Sequence, residues 1–148
     1  MGTTASRVRG SAIALAVAYE ATGEQKYRDA ALQYARAGTR AHPVPEHIDR
    51  DWKLGILADG VSYVQAINPD PALSAWLKLY AATALKSQAA DSRFYPAVAY
   101  VGRVNKDEKL LQAARIAANR IRFGSWAKPF TIATRTGFRI LSQVDAAP

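Results

Sequence analysis

Asp49 and Asp51, with one residue between them, sit in a short stretch that also holds His42, His47, Arg50 and Trp52. Two carboxylates at such spacing are the residue types of an acid and a base or nucleophile. An indole offers a stacking platform and an arginine a charge clamp, the combination sugar-processing sites use. We assign the catalytic pair to Asp49 and Asp51, and substrate binding to His47, Arg50, Trp52, Arg93, Tyr95 and Trp126. Simpler roles compete for the same residues. Asp49 or Asp51 serves equally as the N-cap of a following helix, and Trp52 as a staple or core anchor at its start. His42 and His47 lack the spacing of metal ligands on a helix, so no metal is assigned. The chain has neither a Gly-rich phosphate loop nor a serine nucleophile elbow, and no cofactor is assigned.

The elements that must position these residues read as helices. Ala18 to Ala31 contains a helix end, a Thr22-Gly23 turn and a new helix. Glycine suits a helix C-terminus that needs positive φ. Apolar spacing predicts helices over 6–21, 24–41, 52–67, 71–86, 94–104 and 107–123, and a last one over 129–144. The first is apolar on nearly every side, as in a helix surrounded by others. The second should bury Tyr27, Ala30, Ala31, Tyr34 and Ala35 in one stripe, and Trp76 should lie in the core. Asp59, inside an apolar helix beside Gly60, is read as exposed on a polar stripe, the alternative being a carboxyl with perturbed proton affinity.

The turns fall at Gly23, Asn68 and Asn105, 45 and 37 residues apart. Each joins a more apolar helix to a more amphipathic one, as in a degenerate helical-hairpin repeat. The connections within hairpins are short. Those between hairpins, 42–51 and 87–93, and the stretch 123–129 are longer and richer in side-chain chemistry. Up-and-down helix order puts these on one rim with His42, Asp91 and Lys128 beside the assigned residues, and loops on a rigid scaffold are where function concentrates.

Ala18-Tyr19-Glu20-Ala21-Thr22-Gly23, followed by Lys26-Tyr27 and Asp29-Ala30-Ala31, resembles the (α/α) toroid of six-hairpin glycosidases and polysaccharide lyases. A second carrier is Trp52-Lys53-Leu54-Gly55-Ile56-Leu57 leading to Gly60 and Tyr63. The resemblance implies an all-α chain of antiparallel helical hairpins. It would be a half-toroid or (α/α)-barrel-like array of about seven helices, forming one domain over 1–148. It also implies a carbohydrate-active protein, a glycoside hydrolase or polysaccharide lyase if an enzyme. A full toroid has six hairpins and this chain three plus one helix. No catalytic motif of the family carries over residue by residue.

Composition bounds the alternatives. An apolar fraction of 49% supports a folded core, and the absence of cysteine excludes disulfides and thiol chemistry. Arg7 and Arg9 precede an apolar run from Ala12 to Tyr19, but Glu20 follows directly, so we read a helix of the fold rather than a targeting segment. No stretch reaches the length of a membrane span, and no membrane partner is assigned. The net charge is +8, with nine Lys and Arg against two acidic residues from Arg103 to Arg139. That balance admits a polyanion ligand, such as a uronate-bearing polysaccharide, or a solvated helix face. Nucleic acid is disfavoured, because no recognition motif for it is present. The second functional reading is a non-catalytic helical scaffold that binds a protein or polyanion.

Half a toroid leaves its terminal helices, with Ile13, Leu15 and Val17 at one end and Phe130, Ile132, Phe138 and Ile140 at the other, in need of cover. The expected outcome is a homodimer, with the last helix folded back over the first as the monomeric alternative. Sedimentation at micromolar concentration should give the mass of two chains, and a clean single-chain mass rejects the dimer.

Overall fold

The computed structural model describes residues 4–48, 52–87 and 95–123. They form six helices: α1 (Thr4–Thr22), α2 (Gln25–Ala41), α3 (Trp52–Ile67), α4 (Pro71–Lys86), α5 (Tyr95–Asn105) and α6 (Glu108–Phe123). Among the described residues there is no strand. All six expected helices are present, with ends within two residues of those read from sequence. The seventh, over 129–144, lies outside the described residues.

Local chemistry accounts for each short turn. Gly23 adopts φ 69° and its N–H donates to the Tyr19 carbonyl at 2.7 Å. The Thr22 hydroxyl donates to the Ala18 carbonyl and accepts the Glu24 N–H, so two residues suffice to end one helix and begin the next. Asp70 is extended (φ −135°, ψ 128°), and its Oδ1 accepts the Leu73 N–H at 3.0 Å while Pro71 opens α4. Between α5 and α6, Lys106 takes φ 54° and Asp107 caps α6 by accepting the Lys109 and Leu110 N–H groups.

Each helix rests on those one or two places away in order. Thus α1 packs on α2 and α3, α2 on α3 and α4, α3 on α4 and α5, α4 on α5 and α6, and α5 on α6. Among the described residues α1 touches neither α4, α5 nor α6. The centre of the core is Leu57, Val61 and Val64 from α3 with Leu73, Leu77 and Tyr80 from α4, all fully buried. Each such side chain contributes roughly 1.5–3 kcal/mol by leaving water. Trp76 is buried as expected and stacks on Tyr80 with ring centroids 5.6 Å apart.

Two sequence expectations need correction. The first helix is not surrounded: α1 buries Ala5, Val8, Ala12 and Ala16 but exposes Gly10, Ala14, Ala21 and Val17, the last at 55%. Among the described residues it is first in the series, and the described helices that pack on it are α2 and α3. On α2 the buried stripe is Ala31, Ala35 and Gly38, and Tyr34 is exposed. The smaller residues face α1 and α3 because those helices come too close for a ring.

That closeness is measurable at two glycines. A Cβ on Gly38 would lie 2.8 Å from Val8 Cγ1 and 2.9 Å from Leu57 Cδ1. A Cβ on Gly60 would lie 2.9 Å from the Arg9 Cα, a backbone atom that cannot swing aside. Gly60→Ala should therefore cost about 1–3 kcal/mol by overpacking. Gly10→Ala, where a Cβ meets open space, should instead stabilise by about 0.5–1 kcal/mol through helix propensity. Urea denaturation of the two variants checks this, and shifts of the same sign contradict the close-approach account.

Candidate functional site

The described part of the connection after α2, residues 42–48, is tied down at both ends. At its start the Trp76 indole N–H donates to the His42 carbonyl at 3.0 Å, and Val44 packs partly buried against the core. At its far end the Ile48 side chain is 3% exposed, and its N–H donates to the Ser87 hydroxyl at 2.9 Å. His47 Nδ1 lies 3.2 Å from the same Ser87 Oγ. Two prolines, Pro43 and Pro45, keep the intervening chain extended, which lets it cross from the end of α2 to the end of α4.

Ser87 is also the residue where the second long connection leaves α4. The two longest connections thus meet at one hydroxyl. Two of the short turns approach each other elsewhere: the Asn68 side-chain amide lies 3.5 Å from the Arg28 carbonyl in the first turn of α2. Of the residues assigned to the site, His47 is exposed beside Ser87. Trp52 and Tyr95 are the first residues of α3 and α5, and their side chains lie outside the described residues. Asp49, Arg50, Asp51, Arg93 and Trp126 lie outside them as well, as do Asp91 and Lys128. His42 is half-buried, and its Nε2 is enclosed without a hydrogen-bond partner among the described residues.

Among the described residues charge is buried at two places away from that junction, and the sequence signalled only one. Asp59 is not on an exposed stripe: it is 9% exposed at the seam of α1 and α3, with Oδ2 2.7 Å from Arg9 Nε. Burial pushes its proton affinity up, and Arg9 only partly offsets this by its charge and hydrogen bond. Tyr63, one turn further along α3, is pushed up by burial and by the charges of Asp59 and Glu20, with Arg9 opposing. Asp70 is the second. Its Oδ2 is held by both Nε and Nη2 of Arg36, Nε at 3.1 Å, and its N–H donates to Gln65 Oε1 at 2.9 Å. Burial raises its proton affinity, but hydrogen bonds from Arg36, Leu73 and Ala72, with the Arg36 charge, outweigh it and hold the carboxyl below its usual range.

Chemically, the Ser87 junction offers an exposed imidazole on a fixed backbone. The Arg9–Asp59–Tyr63 seam offers a carboxyl that takes up a proton more readily than usual, enclosed between helices. Among the described residues no three His, Asp or Glu side chains gather closely enough to hold a metal ion. No helix among them is long and apolar enough to cross a membrane. Comparison with protein-family models, curated proteins and solved structures gives no match to this chain.

The two aspartates set opposite pH dependences. Asp59, with proton affinity raised on folding, contributes most below the ordinary carboxylate pKa and loses that contribution as pH climbs through its raised value. Asp70, with proton affinity lowered, contributes above the ordinary pKa and loses it as pH falls through its depressed value. Asp70→Ala should cost about 1–2 kcal/mol at neutral pH through its cap alone, with the difference from wild type shrinking in acid. Asp59→Asn should lie within about 1 kcal/mol of wild type at neutral pH, because the amide relieves a buried charge, and should lose stability relative to wild type in acid. Urea midpoints for both variants between about pH 3 and pH 7 check the opposite slopes.

Proposed function

We propose that this chain is a half-toroid of antiparallel helical hairpins whose rim of long connections takes up a polysaccharide. The observation that carries the reading is the Ser87 junction, where Ile48 N–H and His47 Nδ1 converge on the residue that opens the second connection. It joins the stretch bearing His47, Asp49, Arg50, Asp51 and Trp52 to the one bearing Arg93 and Tyr95. The helix order supports the array, since among the described residues each helix packs on those one or two places away, as in stacked hairpins. In this reading Arg50 and Arg93 clamp carboxylates of a uronate-bearing chain, and Trp52, Tyr95 and Trp126 stack on sugar rings. Asp49 and Asp51 act as the acid and base or nucleophile of bond cleavage, by hydrolysis or elimination. The homodimer belongs to the same proposal, as the closure that covers the ends of a half-ring.

A non-catalytic scaffold for a protein or polyanion is the second reading, favoured by the net charge of +8 and its concentration between Arg103 and Arg139. Depolymerisation and binding assays on polygalacturonate and on a neutral glucan separate the two. The first reading expects cleavage of the uronate polymer and at least a hundredfold loss, on the order of a general acid–base contribution, in Asp49→Asn/Asp51→Asn. Full activity in that double variant removes the pair from the mechanism. Binding without cleavage, equal for any polyanion and falling steeply with salt, favours the scaffold.

A further inference from the structure

Ser87 does more than cap α4. A serine hydroxyl has one hydrogen to donate and two lone pairs to accept with. One lone pair takes the Ile48 N–H at 2.9 Å. The Ser87 N–H is occupied in the helix by the Thr83 carbonyl, so the side chain is not needed to finish α4. The hydroxyl hydrogen has His47 Nδ1, 3.2 Å away, as its acceptor among the described residues. Ile48 cannot drift from this arrangement, because its own side chain is buried in the core.

We propose that Ser87 is a positioning residue for His47: its hydroxyl donates to Nδ1 and fixes the neutral imidazole as the Nε2–H tautomer. Which ring nitrogen carries the proton is set by the bond the other one makes. The exposed edge of His47 is then a donor of fixed direction, suited to an oxygen acceptor such as a sugar hydroxyl or uronate carboxylate. That ligand rests on the rim reading given above, whereas the tautomer does not. The same hydroxyl, by holding Ile48, ties the connection ahead of Asp49 to the end of α4.

The test is long-range proton–nitrogen correlation of the imidazoles in the full chain, 15N-labelled, in alkaline buffer. There are only two histidines, and a His42→Gln variant assigns them. Wild type should show His47 protonated at Nε2 alone. Ser87→Ala should shift the His47 nitrogens toward a mixture of tautomers, and Ser87→Thr, which keeps the hydroxyl, should restore the wild-type pattern. His47 protonated at Nδ1 in wild type, or an unchanged pattern in Ser87→Ala with circular dichroism of the folded chain, overturns the assignment. Polygalacturonate titrated into the same wild-type sample should perturb the His47 signals. No perturbation defeats the rim reading while the tautomer result stands on its own.

Discussion

The backbones of α1, α2 and α3 can meet only because two positions carry no side chain. Gly60 lets α3 lie against the Arg9 backbone, and Gly38 lets α2 admit Val8 and Leu57 to a common contact. Everything else about the first half of the chain follows from that proximity. It explains why α2 faces its neighbours with Ala31 and Ala35 rather than with Tyr34. It also brings Arg9 to Asp59, fifty residues away in sequence, so that a carboxylate survives in a helix otherwise filled with Leu57, Val61 and Val64. Dense packing of small residues contributes many weak dispersion contacts in place of a few large buried side chains.

The two buried aspartates show how the same group serves differently in two settings. Asp70 has its backbone N–H and both side-chain oxygens engaged, and its charge is stabilised by donors from α2 and from its own helix. Asp59 has one arginine partner that is itself half-exposed, and burial wins. One fixes a turn and ties it to a neighbouring helix. The other tolerates its position for the sake of the α1–α3 seam.

Much of the architecture was legible because it rests on local chemistry. Gly23 with Thr22, Asn68 to Pro71, and Asp107 are turn and cap residues whose effect does not depend on distant partners, so helix ends could be read within two residues. What escaped depends on distant pairs. Asp59 reads as a surface residue until Arg9 is seen beside it. The first helix reads as enclosed, since its composition does not tell whether neighbours lie on one side or two. Where the connection after α2 meets the end of α4, His47 was recognisable by type and by its proline-rich setting, but Ser87 was not. A serine at a helix end has no spacing or periodicity that marks it, and its importance comes from Ile48 and His47 some forty residues earlier.

The order of helix contacts has a consequence for how damage spreads. Among the described helices α3 and α4 each touch four others, whereas α1 and α6 touch only two. In such a chain stability is carried nearly as a sum of neighbouring terms, and cooperativity is only as long as the reach of one helix. Fraying can therefore begin at α6 and stop at α4, leaving the α1–α3 junction closed. Loss of α3 would leave α1 with a single described neighbour, α2, which would then be joined to the later helices through its contact with α4 alone. The six described helices are thus held at α3 and α4, and α1 and α6 can open independently of each other.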